Sequence, residues 1–337
     1  MPSDFKTKSK NSLFISLVSL SLLLTLITVV LSAYIRLSVN GLGCTDWPDC
    51  YGRINISVQH QGIDVLTGAA EAMQHSGIRT LHRLVASLLG VFIVIIAVMA
   101  LRRRGVPYGI GPKVPLLVLA ITIFLSWLGY ATPSPLLPAV TMGNLLGGLA
   151  MLGLLWWLSQ RSVMHDMAQQ LYSYHLKPQI MLGLVLLIVQ ISLGAWTSAW
   201  FAGPACPALS SCAGTEWSLS AINIFRELNV DAQGKIINTG TAQMIHWLHR
   251  LGAIVTAVYL VWLGLKIMAC KDKLRTTATT MLVLLGLQFS AGLLAVTTQL
   301  PLMLVTIHNA LAAILLLTMI NLYHLLTPLP SKTAIES

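Results

Sequence analysis

The sequence predicts an all-α polytopic membrane protein, with eight transmembrane helices arranged as two pseudo-symmetric four-helix bundles. Three observations predict it. Apolar residues make up 55% of the 337 and charged residues only 9%, with a mean hydropathy of +0.76, whereas about a quarter of a soluble domain is charged. Windows of about 20 apolar residues, enough to cross hydrocarbon, recur eight times. The plan of the first half of the chain also returns in the second. A water-soluble globular core is excluded.

The spans run roughly over Leu13–Ile35, Arg79–Leu101, Val114–Tyr130, Val140–Leu158, Pro178–Trp200, Thr241–Met268, Thr279–Thr297 and Leu304–Leu326. The third and seventh are short and the sixth is long. Basic residues set the orientation. Lys6, Lys8 and Lys10 precede the first span, and Arg102, Arg103, Arg104 and Lys113 separate the second from the third. Arg161 and Lys177 separate the fourth from the fifth, and Lys266, Lys271, Lys273 and Arg275 surround the link from sixth to seventh. The opposite loops hold Asp46, Asp49, Asp64, Glu71, Glu216, Glu227 and Asp231. Both termini are therefore expected in the cytoplasm, with loops 36–78 and 201–240 as the large external segments. The net charge of +10 is this topology signal rather than a nucleic-acid surface. The first apolar run is too long for the core of a cleaved signal peptide, no small-x-small site follows it, and its leader is too poor in arginine for a transit peptide. The simplest location is the plasma (inner) membrane of a bacterium, with the lipid bilayer as surroundings.

The duplication divides the chain into residues 1–165 and 166–337. Each half has a long external loop after its first span, a Cys-x5-Cys pair in that loop, a His-Arg helix start and two further spans. Val140-Thr-Met-Gly143-Asn144 is echoed by Val305-Thr-Ile-His308-Asn309. External loops are oxidising surroundings, so bonds Cys44–Cys50 and Cys206–Cys212 are expected. Closing so short a loop adds only about 2 kcal/mol, and its use is to shape a lid over the bundle. Zinc is the rival reading, although Cys-x5-Cys is wider than the usual ligand spacing and no second ligand pair accompanies it. Cys270, at the inner end of the sixth span, reads as a thiol outside these bonds.

A His-Arg pair at the edge of hydrocarbon is expensive and marks a site. Leu81-His82-Arg83-Leu84 and Leu248-His249-Arg250-Leu251 both open apolar runs on the same side. His308 enters the eighth span at nearly the depth of His249 in the sixth, and both spans run inward. Two imidazoles on parallel helices at matched depth can meet opposite faces of one iron, which points to a bis-histidine haem. The plainer alternative is a polar helix–helix contact. His82 stands at the matching depth in the first half, but the fourth span offers Gly143 and Asn144 where symmetry asks for histidine. A single axial bond and a substrate contact both remain open for it. His246 lies one turn before His249 on the same face, so it cannot take the opposite axial site and reads as a neighbour of the ligand or a propionate contact. His60, His75, His165, His175 and His324 lie in loops or at span ends and are expected to be solvated.

Arg83 and Arg250 directly follow the candidate ligands, and a planar guanidinium matches a haem propionate in bidentate fashion. Snorkelling to headgroups is the plainer use. Trp47, Trp127, Trp156, Trp157, Trp196, Trp200 and Trp217 fall mostly near span ends, as an interfacial belt would. Gly143, Gly147 and Gly148 permit close approach of a helix or a flat macrocycle.

The duplicated plan, the segment Gly41-Leu-Gly-Cys44-Thr-Asp-Trp-Pro-Asp-Cys50-Tyr-Gly52, the two His-Arg starts, Gly194-Ala-Trp-Thr-Ser-Ala199 and the His308-Asn309 helix together resemble the haem A synthase family over essentially Arg36 to Leu317. The resemblance implies an eight-span oxidoreductase that converts the C8 methyl of haem O to a formyl group, giving haem A for terminal oxidases. It implies a haem b cofactor between His249 and His308, substrate haem near His82 in the amino-terminal half, and haem O synthase and a terminal oxidase as partners. Two departures stand out. The family usually has glutamate three residues before the first-half histidine, where this chain has Arg79, and histidine in the fourth span, where it has Gly143 or Asn144. A glutamate there is proposed as a general base, which arginine cannot be. Glu71 or Asp64 substitutes from the loop, or the carboxylate is dispensable, or the chain does not catalyse the reaction. Arg79, one turn from His82, can instead attract a propionate. A non-catalytic haem-binding assembly or delivery protein and an electron-transferring membrane cytochrome b are the rival readings.

Overall fold

The computed structural model describes residues 2–39, 69–103, 106–107, 110–131, 136–162, 174–206, 212, 223–232, 235–237, 240–270 and 272–327. Eight long helices account for most of them: α1 (Pro2–Val39), α2 (Ala69–Leu101), α3 (Lys113–Ala131), α4 (Pro138–Arg161), α5 (Lys177–Ala199), α6 (Gly240–Met268), α7 (Asp272–Thr297) and α8 (Leu302–Leu325). Each is long and apolar enough to cross a membrane. The chain is thus a multi-pass membrane protein, as its composition required.

Three helices begin well before the sequence reading: α1 starts at Pro2 rather than Leu13, α2 starts at Ala69 and so takes in residues 69–78 of the expected external loop, and α7 is the third. The seventh span is not short: α7 begins at Asp272 and its membrane-crossing stretch at Lys273. The polar run Lys273 to Thr280 hid this turn of helix from a hydropathy window. Its threonines satisfy themselves, since the hydroxyls of Thr277, Thr279 and Thr280 donate to carbonyls four residues back.

The helices are apolar on all sides because both faces meet hydrocarbon or packed protein. On α2, Leu84, Leu88, Val91 and Ile95 are exposed, while Leu89, Ile93 and Ile96 are buried. Packing follows two rings. Helices α1 to α4 close one by the pairs α1–α2, α2–α3, α3–α4 and α1–α4, and α5 to α8 close the other by the equivalent pairs. The rings meet through α1, α4, α5 and α8, with α1–α8 matched by α4–α5. A cluster around Leu152, Leu187, Leu260, Leu315 and Met319 fills this junction and the second ring.

Two turns set the geometry. Between α7 and α8, Gln299 and Leu300 both take positive φ, 62° and 60°, and the amide of Leu300 donates to the carbonyl of Ala295. The reversal is tight enough to lay α8 back against α7. At the end of α5, Phe201 takes φ 53° and the amide of Ala202 donates to the carbonyl of Thr197 at 2.9 Å, closing the helix in the manner usually left to glycine. The Phe201 ring is buried there with Leu37, Leu136, Leu228 and Ile236, and that burial offsets a backbone cost of about 1–2 kcal/mol.

Residues 223–232 of the second half reach the first. Pro138 opens α4 after an extended Leu137. The amide of Ala139, otherwise without an intrahelical acceptor, donates to the carbonyl of Ile224 at 2.9 Å, and that of Leu228 donates to the carbonyl of Leu136 at 3.0 Å. These bonds mark the cap end of the molecule.

His324 corrects the expectation of a solvated side chain. It is 1% exposed and meets Trp157 of α4 edge-on at 5.1 Å between ring centres. Trp157 also faces Tyr323 and carries Arg161 over its ring, so this indole joins α4 to α8 rather than marking an interface alone. His175 is exposed, as expected. His60, His165 and the side chain of His75 lie outside the described residues, as do Trp47 and Trp217.

Candidate functional site

A cavity of about 880 Å³ opens between the two rings, within the usual range for small-molecule sites, and its lining includes His82, Asn144, His246, His249, Arg250 and His308. The sequence pointed to separate places in two halves. The structure instead brings residues of both halves onto one continuous space.

His249 reaches it from α6, and α5 is shaped to receive the ring. Gly194 lies where a Cβ would stand 3.1 Å from His249 Cε1, tighter than nine in ten real Cβ contacts. One turn earlier on α5, the amide nitrogen of Gln190 is 3.0 Å from His249 Nδ1 and donates to the His249 carbonyl at 3.0 Å. The absence of a side chain at Gly252 makes room for Gln190 Oε1.

His308 on α8 is received by α7 in the same way. A Cβ on Gly292 would stand 2.9 Å from His308 Cε1. His308 Nδ1 is 3.2 Å from the backbone carbonyl of Gln288, and Nε2 is 3.2 Å from the amide nitrogen of the same residue. Both notches carry one motif, as Gln190-Ile-Ser-Leu-Gly194 and Gln288-Phe-Ser-Ala-Gly292. Sequence reasoning missed both glutamines. The repeated Gln-x-Ser-x-Gly, each copy on the helix before a candidate histidine, was the signal available.

The disulfide Cys206–Cys212 is present, with Cα atoms 5.1 Å apart. Arg250 ties it to the site. Its Nη2 donates to the carbonyl of Cys206 at 2.7 Å and its Nε donates to His246 Nε2 at 3.3 Å. His246 is 4% exposed, beside the histidine it was expected to neighbour. On the other side of the cavity, Arg36 Nη2 donates to Asn309 Oδ1 at 3.4 Å, so α1 of the first half touches the residue after His308. Neither Arg36 nor Asn309 was singled out from sequence as a site residue.

The first half differs in its fittings. His82 is half-buried and lines the cavity. Arg79 and Arg83 are exposed and outside the lining. Asn144 lines the cavity as Asn309 does, which matches Gly143 rather than Asn144 to His308. A Cβ on Gly143 would stand 2.9 Å from Leu128 Cδ2, so the buried Leu128 fills the place over that position. Among the described residues lining the cavity there is no carboxylate. Cys44, Cys50 and Asp64 lie outside the described residues, and so does the side chain of Glu71.

Two comparisons bear on this arrangement. The family model described as "Cytochrome oxidase assembly protein" matches residues 16–320. The chain is 32% identical over 333 residues to a protein named heme A synthase from Shewanella oneidensis, covering 94% of this chain and 98% of that one.

Proposed function

Since this chain belongs to the cytochrome oxidase assembly protein family, we propose that it is a haem A synthase, an oxidoreductase that converts the C8 methyl of haem O to a formyl group for terminal oxidase biogenesis. One observation carries the reading: His249 and His308 face a single cavity, each seated against a glycine and a glutamine of the preceding helix. Imidazole nitrogens suit haem iron. The two Cβ-free contacts leave each ring close to a neighbouring helix, and the buried Oε1 atoms of Gln190 and Gln288, which make no hydrogen bond among the described residues, are polar capacity facing that region.

On these grounds a haem b would be held by His249 and His308, with Arg250 and His246 beside it at the cap end. Such a group, when bound, supplies one-electron redox chemistry at a potential set by its ligands. The chain's own residues bind, orient and cover. Leu128 over Gly143 leaves His82 as the sole imidazole of the first half among the described lining residues, which suits a substrate haem held by one axial bond and then released. Arg36 and Arg250 are the guanidinium groups placed for its carboxylates or those of the cofactor. The Cys206–Cys212 bond and residues 223–232 lie at the cap end. The amino-terminal half is thus the substrate half and the carboxy-terminal half the cofactor half, in a bacterial plasma membrane with both termini cytoplasmic. Haem O synthase supplies the substrate and a terminal oxidase receives the product.

A second reading, a haem-binding assembly or delivery protein without catalysis, is favoured by one feature: no carboxylate is found among the described lining residues, so no general base of that kind is at hand. Expressing the chain with a haem O synthase in a host lacking haem A, then extracting the haems, separates the two. Haem A in the extract supports the enzyme. Haem O alone, with the protein present and haem-loaded, supports the delivery protein.

A further inference from the structure

Histidines that ligate metals nearly always give their second ring N–H to an acceptor, which fixes the tautomer, orients the ring and raises its basicity. The two candidate ligands have such partners on different parts of the same residue type. His308 Nδ1 lies 3.2 Å from the backbone carbonyl of Gln288. A proton on Nδ1 donates to that oxygen and leaves the lone pair on Nε2, which the Gln288 side-chain amide nitrogen faces at 3.2 Å and which would meet iron once that amide gives way.

His249 has no backbone carbonyl in that role among the described residues. What stands 3.0 Å from its Nδ1 is the side-chain amide of Gln190. The two ends of an amide are nearly the same in shape, and turned over it presents Oε1 to the ring. That oxygen is buried and makes no hydrogen bond among the described residues, while Gly252 on α6 leaves the amide the space it occupies. The turn gives up the bond from the amide nitrogen to the His249 carbonyl and would set Oε1 against that oxygen, so the side chain also rotates away from the carbonyl, an oxygen inside α6 that the helix ladder still serves. In the other half, Thr28 stands on α1 as Gln190 stands on α5 if Ser32 and Gly194 are matched, and its hydroxyl donates to the carbonyl of Leu24. Val85 occupies the position of Gly252 in the His-Arg repeat. The first half thus lacks both the amide and its notch.

We propose that Gln190 is the positioning residue for His249, accepting the Nδ1 proton through its side chain, while Gln288 serves His308 through its backbone carbonyl. The inference rests on the reading of His249 and His308 as haem ligands. It makes the two glutamines unequal, although they stand in the same motif. An acceptor on Nδ1–H pushes the imidazole toward imidazolate, favours ferric iron and lowers the reduction potential. Removing the side chain at position 190 takes that acceptor away. Removing it at position 288 leaves the carbonyl in place.

The test is the midpoint potential of the bound haem in the purified full-length protein, read by spectroelectrochemistry with the low-spin electron paramagnetic resonance signal as the check on ligation. Gln190→Leu is expected to keep the low-spin signal and shift the potential upward. Gln190→Glu, which retains an acceptor in the same place, is expected at or below the parent value, and Gln288→Leu close to it. A Gln190→Leu potential equal to the parent, or an equal shift in Gln288→Leu, overturns the proposal, as would a Gln190→Glu potential above the parent if the leucine variant does not accumulate. Failure of the underlying reading looks different: His249→Ala and His308→Ala would then keep the low-spin signal.

Discussion

Arg250 Nη2 donates to the carbonyl oxygen of Cys206 at 2.7 Å, so the guanidinium next to His249 in sequence is bonded to a cysteine of the disulfide. A charged donor on a buried carbonyl contributes about 2 kcal/mol. The buried Cys206 and its bond to Cys212 form the other half of the fastening.

Arg250→Ala should therefore lower the thermal stability of the detergent-solubilised protein even when it carries no haem, and reduction of the disulfide in the parent should lower it in the same direction. Melting curves of haem-depleted protein check this. Were Arg250 solely a partner for a haem carboxylate, the haem-depleted variant and parent would melt together.

The glycines against the two histidines give the next expectation. A Cβ at Gly194 or Gly292 would stand 3.1 or 2.9 Å from the ring carbons of His249 and His308, and forcing one in costs on the order of 1–3 kcal/mol. Gly194→Ala and Gly292→Ala should each reduce haem content per protein several-fold. Gly286→Ala, earlier on the same helix as Gly292 and with nothing within 4 Å, should leave it unchanged. Pyridine haemochrome assay against protein concentration reads all three.

Much of this was legible in the chain because hydrocarbon imposes a simple pattern. Eight apolar runs gave eight helices, and the histidines of the two His-Arg pairs at their edges line the cavity, whereas Arg83 does not. What the pattern did not show were contacts made by ordinary-looking residues. Gln190 and Gln288 lie within apolar helices and acquire meaning only when a histidine on the next helix arrives beside them. Leu128 is one leucine among many until Gly143 leaves a gap beneath it. Polar threonines disguised the start of α7, and His324 at a span end gave no hint that Trp157 would bury it. The single cavity depended on α1, α4, α5 and α8 meeting, which no local pattern encodes.

For the first half, the prediction turns on Leu128. His82→Ala should cut haem A formation by at least tenfold, on the order of 1.4 kcal/mol or more, while the spectrum of the resident haem stays as it was. Introducing Gly143→His together with Leu128→Ala gives the first half a second imidazole and room for it. That double variant should co-purify with more haem per protein and turn over more slowly, as quantified from extracted haems.

The most direct test of the central claim is the low-spin haem spectrum of the purified protein in three variants: His249→Ala, His308→Ala and His82→Ala. The account predicts that each of the first two abolishes the bis-histidine signal and that the third retains it. A signal that survives in His249→Ala and His308→Ala but disappears in His82→Ala would contradict the account and place the cofactor in the other half.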